Sequence, residues 1–329
     1  MGGIVCACIA PHGSEVIPEL AAVGAAGGGT PVGGPVRDVG PDRVAEALAG
    51  YGRLTAAMEE VARRVRLADP ETIVVATPHS LRLDGGHTAV VTAESVAGSL
   101  TAETPRAAGG SDARAAGERA TVEAVWQVDR DLAGDILRRA RARNLPVVGA
   151  NYGAASGGSS RLPLDWGALI PLYFLGRTPE ARPEGSRRPE VVLIGPSRDG
   201  RRESLVELGE AVAESAAASG KRVVFVASAD HGHTHLPNGP FGFDPAAAAY
   251  DRLVCDIVRQ DRLDDLLGIA PDLLEAAKPD SLWPMLILLG VKRRRAMTAE
   301  FLAYERPTYY GMLVAFYQPV GCRQTPPAE

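Results

Sequence analysis

Three apolar runs rich in Val, Ile and Ala each break at a histidine: Val5 to His12 in VCACIAPHG, Ile73 to His79 in IVVATPHS, and Val223 onward into the DHGHTH cluster at Asp230 to His235. Runs of this kind, bounded by Pro and Gly, read as buried strands of a parallel sheet covered on both sides. The residues at each break then lie at strand carboxyl ends, where open α/β sheets place their ligands. Five of the six histidines fall at these three places, which points to a metal or proton-transfer site.

The segments between the runs supply the covering helices. From Pro41 to Asp69 the apolar positions Val44, Leu48, Tyr51, Met58, Val61 and Val65 recur at helical spacing with charges between them. A helix near Asp129 to Arg143 leads into PVVGANYG, and EVVLIGPS leads through a helix near Glu203 to Ser219 into RVVFVASAD. This alternation predicts an α/β fold with a mainly parallel central sheet and helices on both faces, in a single domain spanning residues 1–329. After Phe243 the pattern is helical to near Arg295, with Pro271 and Pro279 suited to first-turn positions, and two strand-like runs ending in GMLVAFYQ follow.

Two stretches interrupt the pattern. Gly98 to Thr121 is rich in Ala, Gly, Ser and charge, and reads as an exposed loop or a frayed helix. Gly176 to Pro189 reads as a surface connection, either a long loop within one domain or a domain boundary, with the loop favoured.

Composition narrows the partners. Lys and Arg total 35 against 40 for Asp and Glu, a net charge of −5 that argues against a general nucleic-acid binder. Cys6 and Cys8 share one face of the first strand, where burial as small hydrophobes is favoured over metal ligation or a disulfide. No basic start leads into a long apolar stretch, and no segment approaches the length needed to span a bilayer. A cytoplasmic protein with a small-molecule partner and no membrane contact is therefore expected.

Neutral imidazole ligates iron, zinc, copper or nickel, and two histidines plus a carboxylate leave coordination positions open. His12 and His79 sit in matched contexts, APH and TPH, and are the candidate ligands. The competing reading of each is a hydrogen-bonded structural histidine. If the 230–235 segment stays extended, His231, His233 and His235 share one side, while a turn at Gly232 would separate them. One of these imidazoles is a candidate acid and base, against the alternative of a polar loop without a chemical task. His87, in DGGHT, reads as a surface residue.

Five segments, IAPHGSEVIPEL, VVATPHS, LDWGALIPLYFL, ADHGHTHLPNGPFGFDPAAAAYDRLV and SLWPMLILLG, resemble in order and spacing the catalytic B subunit of class III extradiol ring-cleavage dioxygenases and its single-chain relatives. The likeness runs from residue 4 to about residue 317. It implies Fe(II) held by His12, His79 and an acidic residue from the helical region, with a catechol or other chelating phenol and dioxygen as substrates. It also implies His233 as the pocket acid and base, since that histidine precedes Pro240-Phe241-Gly242 at the family's distance.

Two positions depart from the family pattern. Where relatives read Asp-His-Gly, this chain has Asp165-Trp166-Gly167, so Trp166 stands in the substrate pocket with an indole that can stack but cannot exchange a proton. The family's glutamate position holds Pro279. Asp280 beside it is the expected third ligand, and Glu275, one turn earlier, is the alternative; the competing role for Asp280 is a helix cap. These departures keep open a second reading, a non-oxygenase metal-binding protein of Memo type on the same scaffold, which would hold zinc or copper. A second copy of the chain is a further expected partner.

Overall fold

The computed structural model describes residues 2–26, 41–103, 119–176 and 188–321. In chain order its strands are β1 (Gly3–Ala10), β2 (Thr72–Ala76), β3 (Thr88–Val91), β4 (Ser95–Glu103), β5 (Arg119–Gln127), β6 (Val147–Ala150), β7 (Arg161–Pro163), β8 (Glu190–Gly195), β9 (Arg222–Ser228), β10 (Met297–Glu305) and β11 (Met312–Pro319). Its α-helices are α1 (Pro18–Ala26), α2 (Pro41–Leu67), α3 (Arg130–Ala142), α4 (Trp166–Gly176), α5 (Arg202–Ser219), α6 (Pro245–Arg259), α7 (Pro271–Ala277) and α8 (Leu282–Arg294). Among the described residues no helix is long and apolar enough to cross a membrane.

Eight strands form the central sheet in the order β10-β11-β1-β9-β2-β8-β3-β6. The middle four, β1, β9, β2 and β8, are mutually parallel, while β11 and β3 flank them in the antiparallel sense. Strand alternation sends Cys6, Cys8, Ile73 and Val75 to one face, where Leu54 and Met58 of α2 and Leu169 of α4 cover them. The opposite set, Val74, Ala76, Val192 and Ile194, packs under α3, α5 and α8. Both faces are therefore buried, as the continuous apolar runs require, and each fully buried Val or Ile contributes about 1.5–3 kcal/mol.

Local chemistry sets the helix ends. The Asp129 carboxylate accepts the Leu132 N–H and starts α3, and the Asp244 carboxylate does the same for Ala246 ahead of Pro245 in α6. Helices α5 and α8 cross in near contact: a Cβ on Gly290 would fall 1.9 Å from the Val206 carbonyl oxygen, and one on Gly209 would fall 2.0 Å from that of Ile287. Only glycine fits either position.

The structure departs from the sequence expectations at several points. Gly98 to Thr121 is not a loop throughout: β4 and β5 pair antiparallel from Ser95 opposite Gln127 to Glu103 opposite Arg119, and β7 joins β4 to complete a second, three-stranded sheet. The strand signal was weak because only one face touches the core, through Val96, Leu100, Ala120, Val122 and Trp126, and small side chains fill the rest. Residues 104–118 lie outside the described residues, as do 177–187 of the second interrupted stretch. Leu48 is exposed rather than buried on the inner stripe of α2. Pro271 does open α7, but Pro279 lies before Ser281, the residue that precedes α8, and not in a first helical turn.

Candidate metal centre

The four parallel strands end side by side, and each delivers part of the site just past its carboxyl end. Because Ala10 is in register with Ser228, and Ala76 with Ala227, the segments carrying His12, Asp230 to His233 and His79 leave the sheet next to one another. The turn before α8 closes the site from above: the Asp230 N–H donates to Asp280 Oδ1 at 2.9 Å, and the Asp280 N–H donates back to the Asp230 carbonyl.

His12, His79 and Asp280 meet at one point. Their Nε2 atoms are 3.0 Å apart, and Asp280 Oδ2 lies 3.2 Å from each. Three donors set at right angles about 2.1 Å from one ion stand roughly 3.0 Å apart, so this nitrogen, nitrogen, oxygen triangle fits a facial two-histidine, one-carboxylate set. His12 is also held from behind. Its Nδ1 lies 2.9 Å from Ser228 Oγ, whose own proton goes to the Gly167 carbonyl, so Oγ accepts from Nδ1–H and Nε2 is the nitrogen that faces the site. His79 packs beside Gly167, where a Cβ would lie 3.2 Å from its Cδ2 and 2.5 Å from Thr77 Oγ1. Asp165 accepts the Thr77 hydroxyl and the Ala168 N–H, tying the end of β2 to the start of α4.

The charges are strongly coupled. Burial alone pushes the His12 imidazole down, but the Asp230 and Asp280 carboxylates outweigh it and raise it to about 9. Burial works against ionised Asp280 as well, yet the facing imidazoles hold it well below the usual carboxylate range. Asp230 is pushed up to about 7 by burial, against the pull of His12. His79 and His233 are both lowered, chiefly by burial.

The remaining sequence candidates separate. His233 reaches the site, with Nε2 3.9 Å from Asp280 Oδ2 and its ring stacked on Tyr310 at 5.4 Å. Its neighbours turn away, so the three imidazoles do not share a side. His235 pairs with Asp251 at 2.7 Å, and Asp251 also accepts from the Gly232 N–H and the Tyr304 hydroxyl, which anchors the loop. His231 is fully buried with no partner for either ring nitrogen among the described residues, and burial pushes it down to about 4, so it is neutral. Trp166, 45% exposed, lies over His79 at 4.3 Å between ring centroids. Glu275 points outward and pairs with Lys278. Asp280 does not cap α8: Ser281 holds that position, and the Asp280 carboxylate is turned to the imidazoles. His87 is exposed, as expected.

A cavity of about 340 Å³ opens over the triangle, of a size suited to a small aromatic molecule. Sequence reasoning missed several groups that line this cavity or stand behind its walls. Asp230, next to the histidine cluster, was visible but unassigned. Ser228, Arg198, Tyr309 and Tyr310 carried no local signal, and neither did buried Glu15, which accepts the Tyr310 hydroxyl at 3.1 Å.

A protein of Clostridium acetobutylicum designated CA_C1420 is 23% identical over 251 residues, 76% of this chain, and the chain spans about half, 49%, of that protein's length. The crystal structure of the uncharacterised protein JW3007 from Escherichia coli K12 aligns over 95% of this chain and 99% of that one, at 14% identity and a TM-score of 0.46. The family model for the catalytic LigB subunit of aromatic ring-opening dioxygenase matches residues 44–315. The chain therefore belongs to the family of the catalytic LigB subunit of aromatic ring-opening dioxygenases.

Proposed function

We propose that the protein is a non-haem Fe(II)-dependent extradiol dioxygenase acting on a catechol or another chelating phenol. The observation that carries this reading is the triangle of His12, His79 and Asp280, with the His12 tautomer set from behind by Ser228. His12, His79 and Asp280 would hold a ferrous ion, which would offer open coordination positions to the two oxygens of a chelating catechol and to dioxygen. Asp280 supplies the negative charge of the ligand set, and its second oxygen stays occupied by the Asp230 N–H, which keeps Oδ2 aimed inward.

The chain's own groups then handle the substrate. His233, whose Nδ1 has no partner among the described residues and whose Nε2 faces the triangle, takes the proton of a phenolic hydroxyl and returns it as the ring opens. Trp166 and Phe241 line the mouth and cover the ring faces, excluding water while leaving proton exchange to His233. The test is anaerobic loading with Fe(II), then oxygen consumption and absorbance of ring-opened products across a catechol panel. Activity that falls at least a hundredfold in His233→Ala supports the reading; an iron-loaded protein inert on the whole panel defeats it.

One observation favours a second reading, a Memo-type protein that binds metal without oxygenase activity. Trp166 occupies the position of a second pocket imidazole and lies against His79. Tight zinc or copper binding without oxygen consumption would support that alternative.

A further inference from the structure

The imidazole proposed as acid and base has no hydrogen-bonded group behind it to aim it. His233 Nδ1 is buried without a partner among the described residues, and Nε2 is directed at the triangle, 3.9 Å from Asp280 Oδ2. A catalytic base is ordinarily oriented by a third group that hydrogen-bonds its far nitrogen. Here the backbone is fixed, through the His233 N–H to the Ala277 carbonyl oxygen at 2.8 Å, and the ring is held by aromatic faces. Tyr310 lies nearly parallel to it, at 18° and 5.4 Å between centroids, while Phe241 meets it edge-on at 5.8 Å. Tyr310 is thus the surface that sets the plane of the imidazole.

Tyr310 is in turn pinned at its hydroxyl. The O–H donates to Glu15 Oε2 at 3.1 Å, and its oxygen sits against the backbone of Gly13, where a Cβ would lie 2.5 Å from it. Tyr309 packs edge-on against the ring at 4.7 Å. Glu15 lies in a short 3-10 turn (Ser14–Val16) after β1, and Tyr310 precedes β11. The bond therefore joins the segment that carries His12 to the segment on which His233 lies.

Glu15 is costly to keep in this place. Its side chain is buried, Ser14 Oγ donates to the same oxygen at 3.3 Å, and Oε1 has no partner among the described residues. A buried carboxyl with part of its hydrogen-bonding capacity unmet opposes folding, whereas an apolar side chain of similar length would fill the space without that penalty. The Tyr310 hydroxyl gives the carboxyl a task.

We propose that Glu15 is a positioning residue: by holding the Tyr310 hydroxyl it fixes the tyrosine ring against which His233 is stacked, and so keeps His233 Nε2 directed at the metal centre. This rests on the reading of His233 as the acid and base of the proposed dioxygenase. Glu15 itself stands behind Tyr310, off the cavity wall.

The experiment compares the full-length wild type with Glu15→Gln, which keeps an acceptor for the hydroxyl, Glu15→Met, which removes it, and Tyr310→Phe, which removes the donor and keeps the ring. Each is checked for a cooperative melting transition. In the Zn(II)-loaded chain the readout is the nuclear Overhauser effect between the ring protons of residue 310 and His233. It should be retained in Glu15→Gln and fall at least twofold in Glu15→Met and Tyr310→Phe. In the Fe(II)-loaded chain, on a catechol that the wild type turns over, kcat should drop at least tenfold in those two variants with KM within threefold, since a misplacement of about 1 Å can cost about a hundredfold. Glu15→Gln should restore most of that loss. Glu15→Met combined with Tyr310→Phe should be no slower than either alone, because both cut one link. An unchanged Overhauser effect in folded Glu15→Met overturns the proposal, as does a loss in Glu15→Gln equal to that in Glu15→Met, or additive losses in the double variant. Should Glu15→Met not fold, Tyr310→Phe decides by the same two measures. A wild type inert on every catechol sinks the dioxygenase reading, and the Overhauser effect, which needs no turnover, then decides the positioning claim. Turnover with kcat unchanged in both variants sinks the role of Glu15 and leaves the dioxygenase reading standing.

Discussion

Replacing Ser228 with alanine touches neither the proposed ion nor its ligand atoms, yet it should weaken metal binding. The Ser228 hydroxyl gives its proton to the Gly167 carbonyl oxygen and accepts from His12 Nδ1–H, both within the buried interior. Without it, two polar groups lose a partner, at about 1–3 kcal/mol for each left unsatisfied. The imidazole can then carry its proton on Nε2, the atom that must present a lone pair. Loss of such an outer partner typically costs about 10–100-fold in metal affinity, equivalent to roughly 1.4–2.7 kcal/mol. The assay is competition for Zn(II) against a chromophoric chelator, with metal-free melting recorded alongside. Ser215→Ala provides the control, since that serine is equally buried but lies in α5 among the core residues there, with no partner for its hydroxyl among the described residues. Zinc affinity within twofold of wild type in Ser228→Ala would refute the tautomer argument, whatever happened to the melting temperature.

Three further outcomes are expected. Asp280→Asn should lose at least a hundredfold in Zn(II) affinity while Glu275→Gln changes it by less than twofold; equal effects would remove Asp280 from the ligand set. Metal uptake should depend on pH, because His12 is raised to about 9 and must release its proton as the ion enters, so apparent affinity climbs by up to about tenfold per pH unit from near 7 and levels above 9. In the metal-free protein the same group stabilises the fold fully below about pH 6.5, and that contribution is lost as pH rises through 9, so melting temperature should fall over this window; a flat profile in both measurements counts against the charge coupling at His12. Gly290→Ala forces α8 off α5 and should cost about 3 kcal/mol or more in urea unfolding, a loss that vanishes if the helices can separate without strain.

The strand signals at Val5, Ile73 and Val223 were legible because strands buried on both faces are apolar throughout, and the helices between them carried a clear period. Strands β4 and β5 were not legible, because a sheet that buries one face with alanine and valine looks locally like a polar linker. At the site, His12, His79, His233, Asp280 and Trp166 were nameable from motif and resemblance, and the structure brings all five to one cavity. The division of labour within the DHGHTH cluster was hidden. Whether an imidazole faces the cavity, pairs with Asp251 or lies buried without a partner depends on contacts from α6, α7 and the segment before β11.

By itself the chain determined the alternation of strand and helix, and hence which residues stand at strand carboxyl ends. That information is local, written in periodicity and in the residues that break it. Tertiary structure alone decided that Asp280, and not Glu275, turns its carboxylate to the imidazoles. It also decided that Ser228 stands behind His12, and that Arg198 lines the cavity. Each of these depends on which strands lie side by side and on how a distant turn closes over them, and distance along the chain carries no record of such neighbours.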